Sequence, residues 1–175
     1  MIVLLVILHA NDSFSREGKS EPRRGSRDFL KSAEIVQIEK SILRFTNEER
    51  VRNGLRPLKA SRALGYIAKK QSINMCDRQL LAHESDAFPE GWRRLVQRLK
   101  IANVRSGSEN LALRTVESDL EDWARQVVKG WMKSTPHKKN ILEPSHKYIG
   151  VGIVPCENKI AYATQVFSSD AGSAP

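Results

Sequence analysis

Cysteine is scarce in this chain: Cys76 and Cys156 are the only two in 175 residues. That number excludes a small disulfide-built scaffold, a Cys-x-x-Cys redox motif and a cysteine zinc knuckle, which need more thiols or closer ones. Aromatic residues are also few, at 6%, and they do not interleave with basic residues as RNA-binding surfaces require. With no zinc-finger or helix-turn-helix spacing either, nucleic acid is not an expected partner. Long apolar runs are missing. The N-terminal run Met1–Leu8 is far shorter than the roughly 20 residues a helix needs to cross a bilayer, so no transmembrane helix is expected. Internal repeats are absent. Acidic residues are in deficit, 20 against 29 basic ones, for a net charge of +9. Such a surface attracts anionic partners, and the same balance also suits an ordinary solvated surface.

The length suits one domain with a full core. The apolar start followed by His9-Ala10 has the dimensions of an export signal, read here as residues 1–16. No basic residue precedes its apolar part, so the signal is atypical or truncated. Residues 17–33 read as a basic, disordered linker: six basic and three acidic residues lie between Arg16 and Lys31, with few large apolar ones. The folded unit is placed at 34–170, with a tail at 171–175. Export predicts a secreted location, extracellular or periplasmic, where one disulfide is ordinary. The sequence leaves open whether Cys76 and Cys156 pair. A bond between them would close a loop worth roughly 4 kcal/mol in the chain-entropy model.

Helical periodicity begins at Ser32 and runs through Ile35, Ile38, Ile42 and Phe45 to Val51, with Gly54 as the stop. A second helix opens at the cap Ser61 and packs through Leu64, Ile67, Ala68 and Met75. A third is expected after Pro89, with Trp92, Leu95, Val96 and Leu99 on one face. A capping box at Ser118–Glu121 starts a fourth, whose stripe is Leu120, Trp123, Val127 and Trp131. Strands are expected at 109–113, 148–154 and 160–167, the last two joined by a hairpin turn in which Asn158 tolerates left-handed geometry. Helices before and between a few antiparallel strands predict an α+β domain.

The most informative stretch is Trp131-Met-Lys-Ser-Thr-Pro-His137-Lys-Lys-Asn140. Thr135 reads as an N-cap and Pro136 as the first helical residue. His137 then falls in the first turn, where the helix dipole disfavours imidazolium and keeps the ring able to accept a proton or bind a metal. Other motifs accompany it: Asn47-Glu-Glu-Arg50 with Gly54-Leu-Arg-Pro-Leu58, Ala82-His83, Gly107-Ser-Glu109-Asn110, Gly150-Val-Gly152, and Ala163-Thr-Gln165-Val-Phe167. In this order, over about residues 35–169, they resemble the CAP superfamily of cysteine-rich secretory, antigen 5 and pathogenesis-related 1 proteins. The resemblance is closer to its prokaryotic, SCP-like extracellular branch. It implies a three-layer α–β–α sandwich with a small, mainly antiparallel sheet.

In the family's animal members a central cleft carries two histidines and two acids able to hold a divalent metal. The resemblance maps His83 and Glu109 onto that set. It places Tyr162 where the animal branch has its second histidine, and Ser134 where it has its other acid. Ser108 replaces the glycine of the Gly-Glu-Asn motif. His137 belongs to the prokaryotic pattern. Two readings follow. If His83, Glu109 and His137 converge, two imidazoles and a carboxylate could hold zinc or another divalent cation and lower the pKa of a bound water toward about 7. Asn140 and Tyr162 would then orient the ligands. Alternatively the group is a hydrogen-bonded cluster without an ion. The expected function is binding in a polar cleft lined by His83, Glu109, Ser134, His137, Asn140 and Tyr162. Its partner would be an unknown ligand, a lipid or an anionic cell-surface polymer, taken up by a monomer. The competing readings are a hydrolase, metal-dependent or with Ser134 beside His137, and a basic adhesive module acting through charge alone.

Overall fold

The computed structural model describes residues 29–174. The expected export signal lies outside them, as does most of the linker. In chain order the elements are α1 (Ser32–Arg52), β1 (Lys59–Ala60), α2 (Arg62–Arg78), α3 (Leu95–Ile101), β2 (Ser108–Thr115), α4 (Leu120–Lys133), α5 (Thr135–Ile141), β3 (Tyr148–Pro155) and β4 (Ile160–Ser168). The sheet order is β1-β3-β4-β2. Only β1 runs parallel to its neighbour; β3–β4 and β4–β2 are antiparallel. Strand alternation sends successive side chains to opposite faces. Ala161, Ala163 and Phe167 join the core with α1, α4 and α5. Val166 packs with α2 and α3, and Tyr162 with the disulfide end of α2. Three layers result, as the family resemblance implied.

Glycine explains how closely two layers approach. A Cβ on Gly150 would stand 2.0 Å from the Leu64 carbonyl carbon, and one on Gly152 2.2 Å from the Lys69 nitrogen. Helix α2 therefore rests on the β3 backbone itself. Its N-cap is Ser61, whose hydroxyl accepts from Leu64 N–H, as the sequence suggested. The end of α2 is fixed by the Cys76–Cys156 disulfide, which ties it to the turn between β3 and β4. Asn158 is left-handed in that turn, with φ 57°.

Several expectations are corrected. The third helix starts at Leu95, so Trp92 lies in the preceding turn. Val96 faces solvent at 52% exposure, while Arg98 is wholly buried. Helix α4 is capped by Asp119, which accepts from Asp122 N–H, and not by Ser118. Helix α5 is capped by Ser134, which places Thr135 first and Pro136 second. Contacts also pass the ends of the 34–170 unit: Leu30 joins the core, and Ser173 N–H donates to the Ala102 carbonyl.

Candidate functional site

Strand β2 is an edge strand, and an edge leaves backbone groups without a strand partner. Here side chains take that role. Asn140 Nδ2 donates to the Glu109 carbonyl (3.1 Å), Trp131 Nε1 to that of Leu111 (2.8 Å) and Trp123 Nε1 to that of Thr115 (2.9 Å). All three are odd-numbered positions, so their carbonyls share one side of the strand, as the ladder geometry of an antiparallel edge requires; among the described residues, Leu113 between them is not bonded in this way. The prokaryotic pattern running from Trp131 to Asn140 thus has a structural meaning: its two ends dress the open side of β2.

Below the edge runs a buried amide chain. Asn140 Nδ2 also donates to Asn110 Oδ1 at 2.9 Å. Asn110 Nδ2 donates to the His137 carbonyl and to Gln165 Oε1, and Gln165 Nε2 donates to Thr46 Oγ1 at 2.7 Å. Thr46, Asn110 and Gln165 have no exposure at all. Each is satisfied, so the chain joins α1, β4, β2 and α5 into one unit.

Alternation turns Glu109 to the opposite face from Asn110. Its side chain is 1% exposed, and Arg98 beside it is 0% exposed. Arg98 Nη2 lies 2.9 and 2.8 Å from the two carboxylate oxygens. The same guanidinium donates to the carbonyls of His83 (3.1 Å) and Trp92 (3.0 Å). It therefore fixes both ends of the irregular segment that carries His83. Gln71 Nε2 pins the same segment at the Ala82 carbonyl. On the outer side of Glu109, His83 Nδ1 stands 3.0 Å from Oε1, with the His83 side chain half exposed. Because a carboxylate paired with a buried guanidinium is an acceptor, a neutral ring carries its proton on Nδ1 and keeps Nε2 as its acceptor.

His137 is near enough to His83 for the two charges to interact. Burial, and then the His83 charge, hold its pKa below the ordinary imidazole value. The expectation that His137 stays neutral agrees with this direction, but burial is the leading cause. Ser134 makes no side-chain capping hydrogen bond and sits partly exposed at the α4–α5 joint. Asn140 reaches the Glu109 carbonyl and not the carboxylate. Tyr162 is a correction to the expected lining. It is 3% exposed, packs with Met75, Cys76, Phe88 and Cys156, and pairs with Leu113, four positions along the strand from the partner of Glu109. Burial raises its phenol pKa.

A divalent ion does not fit this set. Among the described residues no three His, Cys, Asp or Glu side chains group as a metal site. The one carboxylate at the cleft already carries a buried counter-charge. Sequence reasoning missed Arg98, although a signal existed: it stands three residues after Leu95 and beside Leu99, a charge inside an apolar stripe. His146 was also missed. Its ring stacks on Phe167 at 5.4 Å, and Nδ1 meets the Asn140 carbonyl at 3.1 Å. Desolvation lowers its pKa. Nothing in the local sequence marks it.

Comparison with known proteins agrees with this architecture. The model of the cysteine-rich secretory protein family, CAP, matches residues 43–167. The uncharacterised protein YkwD of Bacillus subtilis (strain 168) is 34% identical over 120 residues, covering 69% of this chain and 44% of YkwD. An extracellular SCP-domain protein of Bacillus anthracis superposes with a TM-score of 0.62 at 26% identity, over 81% of this chain and 44% of that one. An outer surface protein of Borrelia burgdorferi shares the fold, with a TM-score of 0.60 at 18% identity over 79% of this chain and 94% of its own. The chain spans less than half the length of its Bacillus relatives. The family model over residues 43–167 and the sequence identity to YkwD together place the chain in the cysteine-rich secretory protein (CAP) family.

Proposed function

We propose that this protein is a secreted CAP domain that binds a ligand at the His83 cleft. One observation carries the proposal: His83 Nδ1 is held by Glu109, and Glu109 is held by Arg98. The result is an oriented imidazole at a half-exposed position, within electrostatic range of His137. Secretion is supported by the extracellular relative in B. anthracis and by the N-terminal apolar run. No helix among the described residues is long and apolar enough to cross a membrane. The net charge of +9 favours an anionic cell-surface polymer or an anionic lipid as the ligand. Retention of the full chain on such polymers and on anionic vesicles tests the reading. His83→Ala should weaken retention about tenfold at constant salt, the loss of one well-oriented hydrogen bond. Retention that ignores both His83→Ala and His137→Ala, yet collapses with salt, would point to the basic surface alone.

The same contact supports a second reading, in which His83 acts as a metal-independent general base in hydrolysis. Esterase and peptidase activity that survives a chelator and disappears in His83→Ala would favour it over simple binding.

A further inference from the structure

We propose that Arg98 is the resident cation of this cleft: a tethered guanidinium that neutralises Glu109 and closes the site to divalent metal ions. Three observations lead there. First, both carboxylate oxygens of Glu109 are bonded to Arg98 Nη2, at 2.9 and 2.8 Å, with neither side chain more than 1% exposed. Second, the guanidinium cannot swing aside without also releasing the carbonyls of His83 and Trp92. Together with the Gln71 bond to the Ala82 carbonyl, those two bonds hold the loop that supplies His83, so an arriving ion would have to break them to displace the guanidinium, whereas a neutral side chain in its place leaves the Gln71 anchor. Third, the remaining positions offer no replacement carboxylate: Tyr162 is packed beside the disulfide, and Ser134 is a hydroxyl at a helix joint.

An ion placed between His83 and Glu109 would meet a fixed positive charge at close range. Like charges a few ångströms apart in a partly desolvated site repel strongly. A buried guanidinium deprived of its carboxylate is also costly in itself. The inference is independent of which ligand the cleft takes, so it survives a failure of the binding proposal and can fail alone.

The test is calorimetric titration of the full chain with zinc alone, with the His83 and His137 ring signals followed by NMR. Wild-type protein should show no saturable 1:1 binding. Arg98→Gln keeps a polar side chain without the charge. It should gain zinc affinity by at least about two to three orders of magnitude, since that is the effect of one unit charge on another at about 4 Å and a divalent ion is repelled twice as strongly, and the gain should vanish when His83→Ala is added. Ser134→Asp, at the partly exposed joint between α4 and α5, supplies a carboxylate while keeping Arg98, and should remain zinc-free. Saturable wild-type binding that depends on His83 would overturn the proposal. So would a folded Arg98→Gln without the gain, or stoichiometric zinc in Ser134→Asp alone.

Discussion

Two arginines are buried almost completely, Arg50 at 1% exposure and Arg98 at 0%, and they do opposite things. Arg50 meets no carboxylate in its bonded shell. Its guanidinium donates to the backbone carbonyls of Arg56, Ile141, Glu143 and His146, gathering the loop after α1 and the end of α5. Arg98 instead spends its charge on one carboxylate and reaches the backbone at two points. The first arginine is a strut: its donors go to backbone carbonyls of the loop after α1 and of the segment at and after the end of α5. The second is the base of a chain that ends at a half-exposed imidazole with an open nitrogen. Both occur within the regions carrying the family resemblance, so membership alone does not separate scaffold from site. Counting what each charged group has left to offer does.

The contrast can be broken most forcefully at Arg98. Arg98→Met leaves the buried Glu109 carboxylate without its guanidinium, with only the His83 hydrogen bond, and should lower stability by about 3–5 kcal/mol, measured by urea unfolding. Adding Glu109→Gln to the same chain should recover a substantial part of that loss, because the stranded charge is gone; an additive double variant would show that the pair is uncoupled. Arg50→Met should cost about 2–4 kcal/mol through unsatisfied carbonyls, with no recovery from any single acidic substitution. Asn140→Ala should cost about 1–3 kcal/mol by exposing the edge carbonyl of Glu109 and breaking the amide chain.

The smallest effect concerns protons. Burial holds the folded-state pKa of both His137 and His146 below the unfolded value. For a base shifted in that direction the unfolded chain binds more protons. The associated stability is therefore complete above the unfolded value of about 6.5 and is lost as pH falls below it. Tm should decline between about pH 7 and about pH 5, and His146→Gln should flatten that decline. The carboxyl of Glu39 acts in the opposite sense, since burial raises its pKa and a protonated form is favoured in the folded state. A rise in Tm on acidification over this range would show that the histidines do not dominate.

Much of the fold was legible because it rests on periodicity and local chemistry. The stripe Trp123, Val127, Trp131 is core, Ser61 caps α2, Gly54 ends α1 with φ +73°, and Asn158 turns the hairpin. Long-range partnership was not legible. Trp131 and Asn140 looked like flanks of a histidine, whereas their N–H groups finish the edge of a strand about 20–30 residues upstream. The disulfide was left open by sequence because spacing in the chain does not report Cα separation, which is 5.8 Å here. Tyr162 was drawn into the cleft by its motif position, yet the pairing with Leu113 sets it in an apolar cluster. Arg98 escaped notice for the reverse reason: it belongs to no motif, and only tertiary contact gives it Glu109.

The ring nitrogens of His83 test the account most directly. In a two-bond 15N–1H correlation of the uniformly labelled full chain, the neutral ring should carry its proton on Nδ1, facing Glu109, and lose that preference in Glu109→Gln. A neutral ring protonated on Nε2 in the wild-type protein, or a tautomer indifferent to Glu109→Gln, would contradict the arrangement of Arg98, Glu109 and His83 on which the functional reading stands.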